Sequence, residues 1–468
     1  MSKNPVIADM PARAASSAFY RATWRWHFYA GLYVVPFIVM LAITGLIQVY
    51  GNSIETPLGQ KHFVSGTGEP QTVIAQAKAA ETSITGGKVA MYVAPRTPER
   101  ASIFMVNADG KQIAVAVDPY QSKVVGSVVK DDTWYSFANE IHGTFFMGDF
   151  GDRLIEIAAG FGIMLIVTGL YLWWPRDGKG LAGVLLPNLA ARGRMFWKEL
   201  HVSVGFYISV VLFFFLISGL SWAGIWGTKY TQAWSTFPAE KWDNVPLSDK
   251  NHASMNHGPL HEVPWALEQT KLPLSGSDVG VTGVPEGTAV NLNSVVALAK
   301  AIGFHDQFRV NLPGDEGGVY TISADSMDHD TELPWQDRTV HVDQYTGKIL
   351  AQVGFADYSP MGKAMAVGIA LHQGDMGLWN TILNTVFCLA IIFLAISGVI
   401  MWWLRRPVGE SRLMPPPMPE NLPLWRGAVF TMLALSLAFP MTGLALIAVL
   451  ALDLLVLSRV PTLKFMFK

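Results

Sequence analysis

Four apolar runs, each about the length of a bilayer crossing, decide most of what this chain can fold into. They fall at about 28–50, 155–174, 202–226 and 382–404. Roughly 20 apolar residues in a helix match the hydrocarbon thickness of a membrane. A backbone in lipid must also satisfy its own hydrogen bonds, which confines such runs to helices. Of 468 residues, 51% are hydrophobic and 15% charged, against ~25% charged in soluble domains. The chain therefore reads as an integral membrane protein. A net charge of -2 offers nothing to nucleic acid. The single Cys388 lies in an apolar run and builds neither a disulfide nor a cysteine-based metal centre. The first run is too long for a signal-peptide core and no Ala-x-Ala site follows it, so a retained anchor is expected.

Basic residues orient the spans. Arg13, Arg21 and Arg25 precede the first; Arg176, Lys179, Arg192, Arg194 and Lys198 lie between the second and third; Arg405, Arg406 and Arg412 follow the fourth. With alternating spans, all fall on one side, the cytoplasm. This gives an N-terminus at 1–27, a loop at 175–200 and a Pro-rich linker at 405–423 inside, with long segments at 51–141 and 227–371 outside. Lead-ins from 142 and 372 join those segments to the second and fourth spans. The apolar stretch 424–458 reads as one long helix or as a hairpin turning at Pro440–Gly443.

The pattern repeats. His27 is followed after four residues by Gly31 and after fourteen more by Gly45; His201, Gly205 and Gly219 keep the same spacing. The second span ends Thr168-Gly169-Leu170-Tyr171-Leu172-Trp173-Trp174 and the fourth Ser397-Gly398-Val399-Ile400-Met401-Trp402-Trp403. The outside segments repeat as well. One has a helical run at 72–82 and strand-like runs at 88–94, 102–106 and 112–117; the other has 292–303, then 308–312, 319–323 and 339–342. Each closes on a hairpin signal, Asp118-x-Tyr120-x-x-Lys123 and Asp343-x-Tyr345-x-x-Lys348. The fold expected is a membrane helical bundle of four core spans plus a C-terminal helix or hairpin, with two extracytoplasmic α+β domains, built by internal tandem duplication.

The histidines carry the chemistry. Eighteen residues of α-helix make five turns and about 27 Å, so Gly45 shares a face with His27, and Gly219 with His201, across the membrane. His142 and His372 head the oppositely directed spans, whose Gly169 and Gly398 lie near the cytoplasmic end. Each membrane face thus offers two imidazoles and two Ser/Thr-Gly pairs. A flat macrocycle needs just that: axial ligands from both sides and backbones that leave room for its edges. Gly31 and Gly205, one turn from the inner histidines, give the same clearance. His27 would pair with His201 inside, and His142 with His372 outside; bis-His iron suits electron transfer. The competing reading is plain: histidines at helix ends bind headgroups, and small residues pack helices. On pattern alone both stand.

These features together resemble the PepSY-associated transmembrane family: the two Asp-x-Tyr-x-x-Lys hairpins, the His-x-x-x-Gly…Thr/Ser-Gly spans, and the Thr-Gly-Leu-Tyr-Leu-Trp-Trp-Pro run at 168–175. The resemblance covers about residues 20–407. It implies a bacterial inner-membrane protein with PepSY-like domains in the periplasm and a link to iron acquisition. Some members are ferrisiderophore reductases carrying two b-type haems, and His27, His142, His201 and His372 match the family's haem-binding histidines. The expected partners are membrane lipid, a ferric siderophore or other iron complex, and a quinol or cytoplasmic reductant. No Gly-rich dinucleotide fingerprint follows a strand, which argues against NAD(P)H or FAD bound in this polypeptide. Alternatives are a PepSY-type regulatory or binding protein, or an iron-uptake transport component without redox activity.

Two further clusters invite a site. The segment 252–262 holds His252, His257 and His261; His257 and His261 are weak metal candidates, since their spacing fits no defined site and an exposed loop explains them. Asp325, Asp328, His329 and Asp330 read first as a solvated loop. His62, His305 and His341, in or beside the β-like segments, need no special role. Trp24, Trp26 and the Trp173/Trp174 and Trp402/Trp403 pairs read as an interfacial belt.

Overall fold

The computed structural model of the protein describes residues 10–54, 62–175, 185–242, 244–256, 263–407, 409, 413–416, 426–457 and 459–460. They fall into two compact units. The first comprises residues 1–43, 141–231 and 385–468, the second 44–140 and 232–384.

The first unit carries the membrane helices. The elements are α1 (Met10–Ile54), α3 (Trp134–Thr144), α4 (Gly148–Trp173), α5 (Arg194–Leu220), α8 (Leu378–Trp403), α9 (Arg426–Ala438) and α10 (Pro440–Leu452), with α1, α3 and α8 running on into the second unit. Among the described residues, four stretches are long and apolar enough to cross a membrane: Ala18–Gly51, Gly148–Trp173, Arg194–Leu220 and Leu378–Trp403. His27 and His201 therefore lie inside their helices rather than ahead of them, because the polar residues N-terminal to each run continue the helix. Ala30 and Val34 of α1 pack on Phe161 and Met164 of α4. Ala159 and Ile163 on another face of α4 meet Leu216 and Leu220 of α5. Small residues allow the approach: a side chain at Gly162 would sit 3.0 Å from Leu216. The C-terminal stretch breaks at Phe439–Pro440, where proline cannot continue the ladder, and Gly443 packs back on Ser436.

The second unit is built on one antiparallel sheet. Helix α2 (Val73–Ser83) precedes β1 (Lys88–Val93), β2 (Ser102–Ala108), β3 (Lys111–Asp118) and β4 (Lys123–Val129). After a small ribbon of β5 (Leu247–Asn251) and β6 (Lys271–Pro273), helix α6 (Leu292–Ala301) precedes β7 (Arg309–Asn311), β8 (Val319–Ala324), β9 (Arg338–Asp343) and β10 (Ile349–Gly354). Helix α7 (Pro360–Gln373) closes the unit. The strand order is β10-β9-β8-β7-β1-β2-β3-β4. The segments expected as two domains thus share a single sheet, joined where β1 pairs with β7 through Met91↔Asn311, Tyr92↔Val310 and Val93↔Arg309. Pairing removes two open edges that would otherwise have to be covered. Residues of α6 and both strand sets, among them Phe104, Val115, Val295, Phe308, Ile322 and Val340, form one core.

The hairpin signature has a local cause. Asp118 Oδ1 accepts the Tyr120 and Gln121 amides, and Asp343 Oδ1 accepts the Tyr345 and Thr346 amides. Each aspartate closes its own turn through its side chain. Ser122 and Gly347 take the left-handed conformation that tightens it, at φ 51 and 69.

Candidate functional site

In the membrane unit, the two histidines expected at the inner face are each held by a hydroxyl of another helix. His27 on α1 donates from Nδ1 to Thr168 Oγ1 of α4 at 2.9 Å; His201 on α5 donates from Nδ1 to Ser397 Oγ of α8 at 2.8 Å. The direction follows from the hydroxyls. Each has one proton, which goes back to its own helix: Thr168 to the Met164 carbonyl at 2.7 Å, Ser397 to the Leu394 carbonyl at 3.0 Å. Both hydroxyls must therefore accept from the rings. This network assigns both imidazoles as Nδ1–H tautomers, with the in-plane lone pair on Nε2, the form in which a metal-ligating histidine is held by its neighbours.

The following glycines complete the arrangement. A Cβ at Gly169 would stand 3.3 Å from His27 Cε1, and one at Gly398 3.7 Å from His201 Cε1. Within each Thr/Ser-Gly pair, the hydroxyl orients the ring and the glycine makes room for it. A Cβ at Gly31 would meet open space, and one at Gly205 only Leu394 at 3.8 Å. Gly45 is half-buried and Gly219 exposed.

A basic rim surrounds Trp24, one turn before His27. The guanidinium groups of Arg194 and Arg405 lie 5.9 and 5.3 Å from its ring centroid, and Arg405 is also 5.3 Å from Phe28. Arg194 Nε donates to the Met401 carbonyl and Arg25 to the Pro416 carbonyl. Trp24 thus joins the spans through cation–π contacts, beyond the belt role its position suggests.

The outer histidines end short helices. His142 stands near the end of α3 in the first unit; burial pushes its imidazole down to about 4, so it is neutral at pH 7. His372 stands at the end of α7 in the second unit, before the left-handed Gly374 at φ 91. Two amides one turn apart on α8 hold that end. Asn384 Nδ2 donates to the His372 and Leu371 carbonyls at 3.0 and 2.9 Å, and Asn380 Nδ2 to the Leu371 carbonyl at 3.0 Å. Sequence reasoning missed Asn380 and Asn384; the signal was there, two amides four residues apart on an otherwise apolar helix.

The 252–262 segment resolves in part. His257 and His261 lie outside the described residues. His252 is fully buried and faces His341, Nε2 to Nε2 at 3.0 Å. His252 Nδ1 must donate to the Thr270 carbonyl at 2.7 Å, so its Nε2 accepts from His341 Nε2, and His341 Nδ1 accepts from the Thr321 hydroxyl at 3.0 Å. This chain closes only with both rings neutral. Burial pushes His252 down to about 4 and His341 well below the ordinary value. The unfolded rings take protons first, so the stability is intact above about 6.5 and is lost as pH falls toward 4. The loss is about 3 kcal/mol for His252 alone. Burial pushes Asp337 the other way, up to about 7. Comparing urea midpoints across this window with those of the His252→Phe/His341→Leu double variant isolates the pair, because Asp337 is common to both proteins. Parallel pH profiles would refute the neutral pair.

The fold and these sites define a multi-pass membrane helical protein with α+β parts, four candidate spans and an antiparallel sheet region. More particularly, the chain belongs to the PepSY-associated TM region family, whose pattern it matches over residues 24–405. A search among curated proteins finds no match to the chain.

Proposed function

We propose that the chain is a dihaem b-type electron-transfer protein of the bacterial inner membrane that reduces a periplasmic ferric complex, of the ferrisiderophore kind. The observation that carries this reading is the inner pair: two imidazoles on different spans, each held by a hydroxyl so that Nε2 keeps its lone pair. An axial ligand needs that tautomer, and each ring is held in it from a different helix. The donor set suits haem iron. His27 and His201 would hold one haem. His142 and His372, placed by sequence at the other face, would hold the second, with Gly31, Gly205, Gly45, Gly219, Gly169 and Gly398 giving clearance.

Haem, when bound, supplies a one-electron ferric/ferrous couple. The chain's own residues would fix the rings, exclude water with apolar spans, and on this reading space the two pairs across the membrane. A quinol or a cytoplasmic reductant gives up the electrons; each ferric ion outside takes one and becomes ferrous, which hard oxygen ligands hold less tightly. The bias of Arg25, Arg194 and Arg405 toward the span ends supports a cytoplasmic placement of those ends and, on this reading, a periplasmic one for the sheet unit. We also propose that the chain arose by tandem duplication. The equal His-Gly spacings, the matched hydroxyl–imidazole bonds and the two helix-plus-four-strand sets support it.

The test is the visible spectrum of the purified full-length protein, followed by reduction of a ferric siderophore in proteoliposomes loaded with reductant. Two reducible b-type haems and external ferrous iron are expected. A colourless protein after expression with ample haem overturns the reading and leaves a regulatory or binding protein.

A further inference from the structure

Two guanidinium groups share one indole ring at the end of the membrane unit that carries His27 and His201. Arg194 and Arg405 stand 5.9 and 5.3 Å from the Trp24 ring centroid. Both are half-buried. Among the described residues, neither pairs with a carboxylate. A guanidinium carries five N–H donors. Each of these two uses one on a backbone carbonyl, Arg194 Nε on Met401 and Arg405 Nη2 on Met414. Two half-buried cations on one ring, with most of their donors unused, call for an anion.

This rim lies next to the inner histidines along the helices. Trp24 is one turn before His27 on α1. Arg194 is seven residues before His201 on α5, two turns and about 10 Å along the same face. Arg405 follows the end of α8, eight residues past the Ser397 that holds His201. A second observation points to the occupant. Thr23, four residues before His27 and near its face of α1, is only 3% exposed, and its hydroxyl has no hydrogen-bond partner. A buried threonine in a helix can return its proton to the carbonyl one turn back, as Thr168 does; Thr23 does not. An unpaired buried hydroxyl is unfavourable, and an acceptor seated between the helices would pair it.

We propose that Arg194 and Arg405 bind the propionate carboxylates of the haem held by His27 and His201, with Thr23 donating to the same edge. The proposal rests on the haem reading. Haem b carries two carboxylates at one edge of a flat, otherwise apolar ring, which matches two guanidinium groups beside two imidazoles. Trp24 holds both cations in place through its ring face. An anionic phospholipid is the other anion met at such a membrane surface. Its headgroup would reach the rim from outside and leave the buried Thr23 hydroxyl unpaired. The arrangement gives the inner haem one orientation, with its carboxylate edge toward the arginine end of the spans and its apolar edge toward the membrane interior.

The experiment compares haem with its dimethyl ester, in which both carboxylates are blocked. Each is titrated into the haem-free, full-length His372→Ala protein in detergent, a background that leaves only the inner pair complete, and binding is read from the Soret band. The free acid should bind about tenfold tighter than the ester, or more. Arg194→Gln and Arg405→Gln should each remove most of that preference and leave ester binding unchanged, and Thr23→Val should reduce it by a smaller factor. An arginine that only ties the helices together would weaken both forms alike. The comparison in the unsubstituted rim needs neither arginine variant to fold. Equal affinity for the two forms, or a preference that survives in both arginine variants, overturns the proposal and leaves the haem reading intact. Equal affinity together with a Tm raised by phosphatidylglycerol only when both arginines are present makes the rim a lipid headgroup site instead. Binding of neither form overturns the haem reading and this proposal with it.

Discussion

If the chain holds two haems as proposed, His27→Ala and His201→Ala should each take the haem content from two per chain to one, and both should remove the same haem. The Soret absorbance halves in either variant, and the double variant loses no more than the singles. His142→Ala and His372→Ala should remove the other haem. The orienting hydroxyls give a finer effect. Thr168→Val and Ser397→Ala leave the imidazoles in place but free Nδ1, so the ring loses both tautomer and direction. Loss of such a partner weakens a metal site by roughly 10–100-fold. Thr168→Ser, which keeps the acceptor, should restore binding to near the wild-type level. A merely structural hydroxyl would change stability without changing haem affinity, so a haem titration of each variant against its Tm separates the roles. If His27→Ala and His201→Ala instead remove different haems, the pairing across the two spans is wrong.

The parts of the fold legible in the sequence are those with a local physical cause. Apolar length gave the four spans, and the turn-closing aspartates Asp118 and Asp343 gave the hairpins. The Ser/Thr-Gly pairs were visible as a repeat, although their contact is with the imidazoles: Gly169 clears His27 and Gly398 clears His201. What stayed hidden depends on distant partners. Nothing local says that β7, three residues long, pairs with β1 to merge two sheets. His252 and His341 are far apart in the chain, and neither has a neighbour in sequence that announces a buried ring. Asp325, Asp328 and Asp330 have the composition of a solvated loop, yet Asp325 and Asp330 are buried and Arg309 meets both Asp328 and Asp330. The basic residues at the span ends were readable as a charge bias, but the stacking of Arg194 and Arg405 on Trp24 required the helices to be brought together.

Arg309→Met should cost the protein about 3–5 kcal/mol, the usual consequence of removing one partner from a buried ion pair. Arg309 is only 13% exposed, as is Asp328, and Asp330 is fully buried at its side chain. The guanidinium meets both carboxylates and also donates to the Asp328 carbonyl at 2.7 Å. Methionine keeps much of the volume and leaves the β1–β7 backbone pairing untouched, so the loss is electrostatic. Without Arg309, Asp330 keeps the Gln307 amide at 3.0 Å, a neutral donor that cannot balance its charge. Arg309→Lys should recover only part of the loss, because one ammonium cannot span two carboxylates and a carbonyl as a planar fork does. Adding Asp328→Asn and Asp330→Asn to Arg309→Met should return most of the stability, since the cost lies in the orphaned charges. Thermal and denaturant unfolding of the four proteins measures that coupling directly. If the triple variant is less stable than Arg309→Met by the sum of the separate aspartate losses, the residues act independently and the buried cluster is not held by its central arginine.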